Sequence, residues 1–165
     1  MHSYNPADWD SFFVAVVGAA AGLTGLLFVA VSINLENILK EGSMLPARAA
    51  ETLASLLFVM VSAALTLVPQ NTRLLGAEIL VIVLPLFAIT LRTQVSFRRK
   101  NPDAPLLWST TRIISSAAAT VPGIVAGASL AAHGGGGLYW LGPTAVGGIA
   151  GAVYSAWVLL VEIAR

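Results

Sequence analysis

The residues whose types and positions could do chemistry are ionisable and hydroxyl groups lying inside long apolar runs. Glu78 stands five residues into the run "RLLGAEILVIVLPLFAIT". A charge in hydrocarbon costs roughly 2.5–3.5 kcal/mol on insertion scales, so it needs a partner or a use. On a helix Glu78 would lie about 7 Å below the start of its run. The plainer expectation is a carboxylate that reaches the headgroup zone or bonds a polar neighbour such as Thr66 or Gln70. The alternative is a cation or proton site in a wet mouth.

A second group gathers at the opposite ends of the runs: Glu51, Arg92, Arg112 and Glu162, with Asn34, Glu36 and Gln94 at similar depth. Opposite charges on adjoining helices, such as Glu51 with Arg92 or Arg112 with Glu162, would neutralise each other. This predicts a structural ion-pair layer with snorkelling arginines, in preference to a conduction vestibule. A third group is the hydroxyls of the fourth run: Ser109, Thr110, Thr111, Ser115, Ser116 and Thr120. Ser116 and Thr120 are four apart and share a helix face. Such a face lines a wet path or bonds neighbouring backbone carbonyls, and the second use is commoner.

Much chemistry is missing. The chain has no cysteine, which removes thiolate metal sites and thiol nucleophiles together. Its two histidines, His2 and His133, fall outside the apolar runs, where no haem ligand is needed. No His, Asp and Glu cluster has metal-site spacing, and no base stands where it would activate a serine. "HGGGG" at 133–137 lacks the lysine and the strand–loop–helix context of a phosphate-binding loop. The expectation is a protein that is not an enzyme, with no catalytic residue, cofactor or metal. A net charge of +1, with no basic stripe, argues against nucleic acid as a partner.

These side chains must be positioned by the runs that carry them. The 165 residues are 57% hydrophobic and only 10% charged, against about 25% charged in a soluble domain. Lipid is the expected solvent. Five stretches of about the 20 residues a bilayer requires are read at 11–34, 47–68, 73–97, 106–132 and 138–163, with linkers at 35–46 and 98–105. Leu35, Ile38 and Leu39 in the first linker continue the helix along the membrane surface. Only helices satisfy their own backbone in lipid here, so the fold class expected over 1–165 is an all-α polytopic membrane bundle. The opening "MHSYNPADWD" carries no Lys or Arg and does not read as a signal peptide. "PQNT" and "HGGGG" are short connections, predicting that the helices they join pack as antiparallel neighbours, with "HGGGG" a flexible turn.

Lys40, Arg48, Arg92, Arg98, Arg99, Lys100, Arg112 and Arg165 fall toward one side of this arrangement, and only Arg73 toward the other. Positive residues mark the cytoplasm, which predicts the N-terminus out, the C-terminus in and both linkers cytoplasmic. Trp9, Tyr139 and Trp140 then lie at the outer interface and Trp108 at the inner one.

Small residues recur at spacings of four: Gly18 and Gly22, Ala21 and Gly25, Gly123 and Gly127, Gly147 and Gly151, Gly148 and Ala152. Such faces let helix backbones approach closely, a main source of helix affinity in lipid. They either hold one chain together or, most plainly on the first span, build a homo-oligomer.

The stretch "WDSFFVAVVGAAAGLTGLLFVAVSINLENIL", Trp9 to Leu39, resembles the opening of a group of small multi-pass bacterial membrane proteins, mainly actinobacterial, that have no assigned function. The resemblance implies a bacterial inner-membrane location and transfers no site residue. The expected function is a small homo-oligomeric membrane protein forming a channel or pore for ions or small solutes. The alternative is a non-catalytic scaffold or accessory subunit of a larger membrane complex. The expected partners are the lipid bilayer, further copies of the chain and, in the alternative, another membrane protein.

Overall fold

The computed structural model describes residues 2–38, 45–100 and 106–163. They form α1 (Asp10–Ile33), α2 (Leu35–Ile38), α3 (Leu45–Leu67), α4 (Thr72–Lys100), α5 (Leu106–Ala132) and α6 (Leu141–Ile163), with 3-10 turns at His2–Tyr4, Pro6–Trp9 and Gly137–Trp140. No strand occurs among the described residues. Local chemistry sets several of the ends. Asn34 closes α1 by donating from both its side chain and its backbone N–H to the carbonyl of Ala30. The short α2 follows, with Leu35 exposed and Ile38 buried. Asn71 starts α4 by accepting the backbone N–H of Arg73 on Oδ1 at 3.0 Å, one of the orphan donors of a helix start.

Among the described residues four helical stretches are long and apolar enough to cross a membrane: Pro6–Ile33, Leu45–Leu67, Thr72–Arg99 and Ile113–Ala132. At 23 residues, α6 is about 34 Å long.

The helices pack chiefly in the order α1, α3, α6, α5, α4. This corrects one expectation. The "HGGGG" connection does join close neighbours, α5 and α6, but α3 and α4, joined through "PQNT", meet only sparsely. A short loop fixes where two helix ends lie, and the facing side chains decide where the bodies go. Here glycine draws α4 onto α5. A Cβ built on Gly76 would stand 2.5 Å from the nitrogen of Ala131 and 2.7 Å from the carbonyl oxygen of Gly127. On the other side of α5, Gly147 of α6 lies against the Ala118 carbonyl, and a Cβ built on Gly151 would stand 2.9 Å from the Ser115 carbonyl oxygen. Gly148 takes Val59 of α3, and Gly123 takes the ring of Phe58.

The first helix behaves differently. It meets α3 through Phe13, Val16, Ala20 and Leu27, spaced at three, four and seven as a helix–helix seam requires. Gly18, Gly22 and Gly25 lie off this seam, are exposed, and have nothing within 4 Å of a built Cβ.

At the aromatic end the N-terminal turns cover the α5–α6 connection. Trp9 meets Tyr139 edge-on at 4.9 Å, and Tyr4 lies 4.6 Å from the His133 ring. Gly137, at φ +52, leaves no room for a Cβ beside the Ser3 carbonyl. The "HGGGG" stretch is therefore a pinned turn instead of a flexible one. Ser129, itself buried, donates to the Gly134 carbonyl and accepts the Gly137 N–H at 2.7 Å. Removing its hydroxyl strands a buried donor, at a cost of about 1–3 kcal/mol. Ser129→Ala is expected to lower the unfolding free energy in detergent by that amount, while Ser32→Ala, whose hydroxyl is exposed on α1, leaves it unchanged.

Candidate functional site

At the aromatic end Glu78 is half-buried, and its Oε2 accepts the Gln70 amide at 2.9 Å. Gln70 also donates to the Leu65 carbonyl at 3.0 Å, so the carboxylate is tied to the α3–α4 turn. Thr66, the other neighbour considered, is buried and donates to the Ser62 carbonyl.

At the basic end α3 and α4 meet through Glu51. Its Oε1 lies 2.8 Å from the Thr93 hydroxyl, which is also 2.8 Å from the Thr90 carbonyl. One hydroxyl proton serves one acceptor at a time. The side chain of Arg92 is exposed. Successive helix residues point about 100° apart, so bringing Thr93 toward Glu51 turns Arg92 away. The side chains of Arg112 and Glu162 lie outside the described residues.

Two hydroxyls of α5, those of Ser116 and Thr120, turn to their own helix and to α4. Ser116 donates to the Ile113 carbonyl at 3.1 Å and accepts the Gln94 amide at 2.9 Å. Thr120 donates to the Ser116 carbonyl at 2.8 Å. The same habit recurs at Thr24, Thr52, Ser62, Thr90 and Thr144. Back-bonding of this kind satisfies a hydroxyl in lipid without a partner helix.

Where α3, α5 and α6 converge, a polar cleft of about 20 Å³ is lined by Arg48, Glu51, Ser55, Ser115, Ser116 and Ser155, among others. That is room for one or two waters. Arg48 is only 4% exposed although charged. A second cavity of about 10 Å³ lies between Phe13, Ser62 and Thr144 and shares no lining residue with the first. Between α3, α4 and α5 the middle of the bundle is closed by Phe58, whose ring abuts Gly123 with Val83 beside it. Among the described residues no three His, Asp or Glu side chains come together.

Compared with protein-family models, curated proteins and solved structures, the chain has no significant match.

The structure thus separates the candidate residues. Glu51, Ser116 and the nearby Gln94 belong to one polar region at the basic end, while Glu78 pairs with Gln70 at the other. Gly123, Gly127, Gly147 and Gly151 seat neighbouring helices, and Gly18, Gly22 and Gly25 do not. Three contributors escaped the sequence reading. Gly76 is a lone glycine without a partner four residues away on its own helix. Thr93 was overshadowed by the charge beside it. Ser129 sits in a helix end whose turn chemistry carried the only available signal.

Proposed function

We propose that the protein is a non-catalytic membrane assembly element that self-associates through the open face of α1. The carrying observation is the stripe Val14, Gly18, Gly22, Gly25 and Val29, exposed and without a neighbour at its glycines. The glycines of α4, α5 and α6 that face other helices admit them closely. On α1, an edge helix packed mainly on α3, the glycines of the same small-residue surface meet nothing among the described residues. In lipid, where apolar burial drives little association, such a surface gains from a second helix laid backbone to backbone. The reading includes five spans in the bacterial inner membrane, with the basic ends of α3 and α4 facing the cytoplasm.

The test is oligomer size in mild detergent. Wild-type protein is expected to run as an oligomer, and Gly22→Leu to run as a smaller species with unchanged helicity, because a Cβ there meets nothing among the described residues. Wild-type protein that is monomeric both in detergent and under cross-linking in vesicles would sink the proposal. Impermeant labelling of a cysteine placed at Arg98 checks the orientation.

A second reading, a path for ions or small solutes, is favoured by the cleft around Arg48 and its hydroxyls. With Phe58 packed across the middle of one chain, that path would run between assembled copies. Ion flux in liposomes that disappears in Gly22→Leu would support it.

A further inference from the structure

We propose that the groove between the basic ends of α4 and α5 is a binding site for an anionic phospholipid, with an acyl chain along its walls and the phosphate on Arg98 and Arg99. The groove measures about 260 Å³ and is lined by Leu91, Gln94, Val95, Arg98, Arg99 and Ile113. The five residues from α4 fall at intervals of three and four, so they share one helix face. Along that face the chemistry changes once. Leu91 and Val95 are apolar and exposed at 49% and 44%, and Ile113 faces them from α5 at 43%. One turn further, about 6 Å along the axis, the face becomes two exposed arginines. Among the described residues no acidic side chain lines the groove.

This axial order, hydrocarbon wall and then paired guanidinium, is the order of groups in a phospholipid. The guanidinium fork matches phosphate oxygens and is weakly hydrated, so it gives up water readily for an anion. Basic pockets between membrane helices recognise anionic headgroups by the same means. The base of the groove is held in shape by Gln94, which is buried and donates to Ser116 across the α4–α5 contact. A soluble phosphate would use the arginines and leave the apolar wall empty. A zwitterionic lipid would fill the wall and bring a third cation toward the two already there. A single-tailed fit to wall and arginines together is what distinguishes an anionic lipid from both. The inference needs a membrane location but not self-association through α1, so the oligomer size of Gly22→Leu and the result below are independent.

The test is native mass spectrometry of the full chain in neutral detergent, with phosphatidylglycerol, phosphatidylcholine of the same acyl chains, and glycerol 3-phosphate added separately. Phosphatidylglycerol is expected to be retained at least about fivefold better than phosphatidylcholine, two arginines near a membrane surface allowing that much. Glycerol 3-phosphate at equal concentration is expected not to displace it. The double variant Arg98→Gln, Arg99→Gln should lose the preference. Val95→Trp, which keeps both charges and fills the groove, should lose retention itself. All three positions are exposed, and circular dichroism confirms folding of each variant. Equal retention of the two lipids, displacement by glycerol 3-phosphate, or unchanged binding by either variant would overturn the proposal.

Discussion

Gly76→Leu is expected to accumulate as unfolded or degraded protein, at a small fraction of the wild-type yield. Even the first carbon of a side chain at this position would stand 2.5 Å from the Ala131 nitrogen, 2.7 Å from the Gly127 oxygen and 2.9 Å from the Leu130 Cβ. Two of these three are backbone atoms, so no change of rotamer relieves the overlap. The α4 and α5 helices must part, and the contact that parts is the one holding α4 to the rest of the bundle, since α4 meets α3 only sparsely. Overpacking of a tight site costs about 1–3 kcal/mol, occasionally more. Gly76→Ala should lie inside that range and Gly76→Leu beyond it. Gly127→Ala should cost less than Gly76→Ala, because its nearest obstacle, at 2.8 Å, is the flexible side chain of Leu80. Unfolding by denaturing detergent, followed by circular dichroism, ranks the three. Gly22→Leu, on the open face of α1, is the control that should fold normally. A Gly76→Leu protein as stable as this control would mean that α4 and α5 are not in backbone contact.

Phe58→Ala is the second large effect. The ring is 2% exposed and fills the space where Gly123 lacks a side chain, with Val83 closing the third side. Truncation removes those contacts and leaves a void at the junction of α3, α4 and α5. In water-soluble cores aromatic-to-alanine changes cost about 3–5 kcal/mol. The share arising from lost contacts persists in lipid, where packing and not water release holds helices together. A partner variant sharpens the test. Gly123→Ala alone is expected to destabilise, because the new Cβ would lie 2.7 Å from Phe58 Cζ. In the Phe58→Ala background the same methyl group occupies part of the void. The double variant should therefore be more stable than the sum of the single effects requires, with a coupling of about 0.5–3 kcal/mol. Additive costs would show that the two residues do not meet. In liposomes, new ion flux through Phe58→Ala would place the path of the second reading within one chain instead of between copies.

The glycines illustrate how much of the packing was legible. The spacing at Gly123 and Gly127, and at Gly147 and Gly151, marked faces that the structure uses within the chain. The same spacing at Gly18 and Gly22 marked a face that it leaves open. Sequence periodicity reports that a helix can be approached closely, but it carries no information about which helix approaches. Gly76 shows the converse: it had no periodic signal because its partner glycine, Gly127, lies on another helix. The polar residues behave similarly. Gln70 was readable as a partner for Glu78 because both flank one short turn. The meeting of Glu51 with Thr93, and of Gln94 with Ser116, joins residues far apart in the chain, and charge alone pointed to Arg92.

Composition and hydropathy alone determined that this is an all-helical chain whose long segments suit lipid, because segment length and apolar content are local properties that a bilayer tests one helix at a time. The basic bias toward one end was likewise written in the order of residues. Only the tertiary structure decided the helix order, the closure of the bundle by Phe58, the pinning of the glycine turn by Ser129 and the open face on α1. Each of these depends on which surfaces meet, and that is settled by the simultaneous fit of several helices, a competition no single segment encodes.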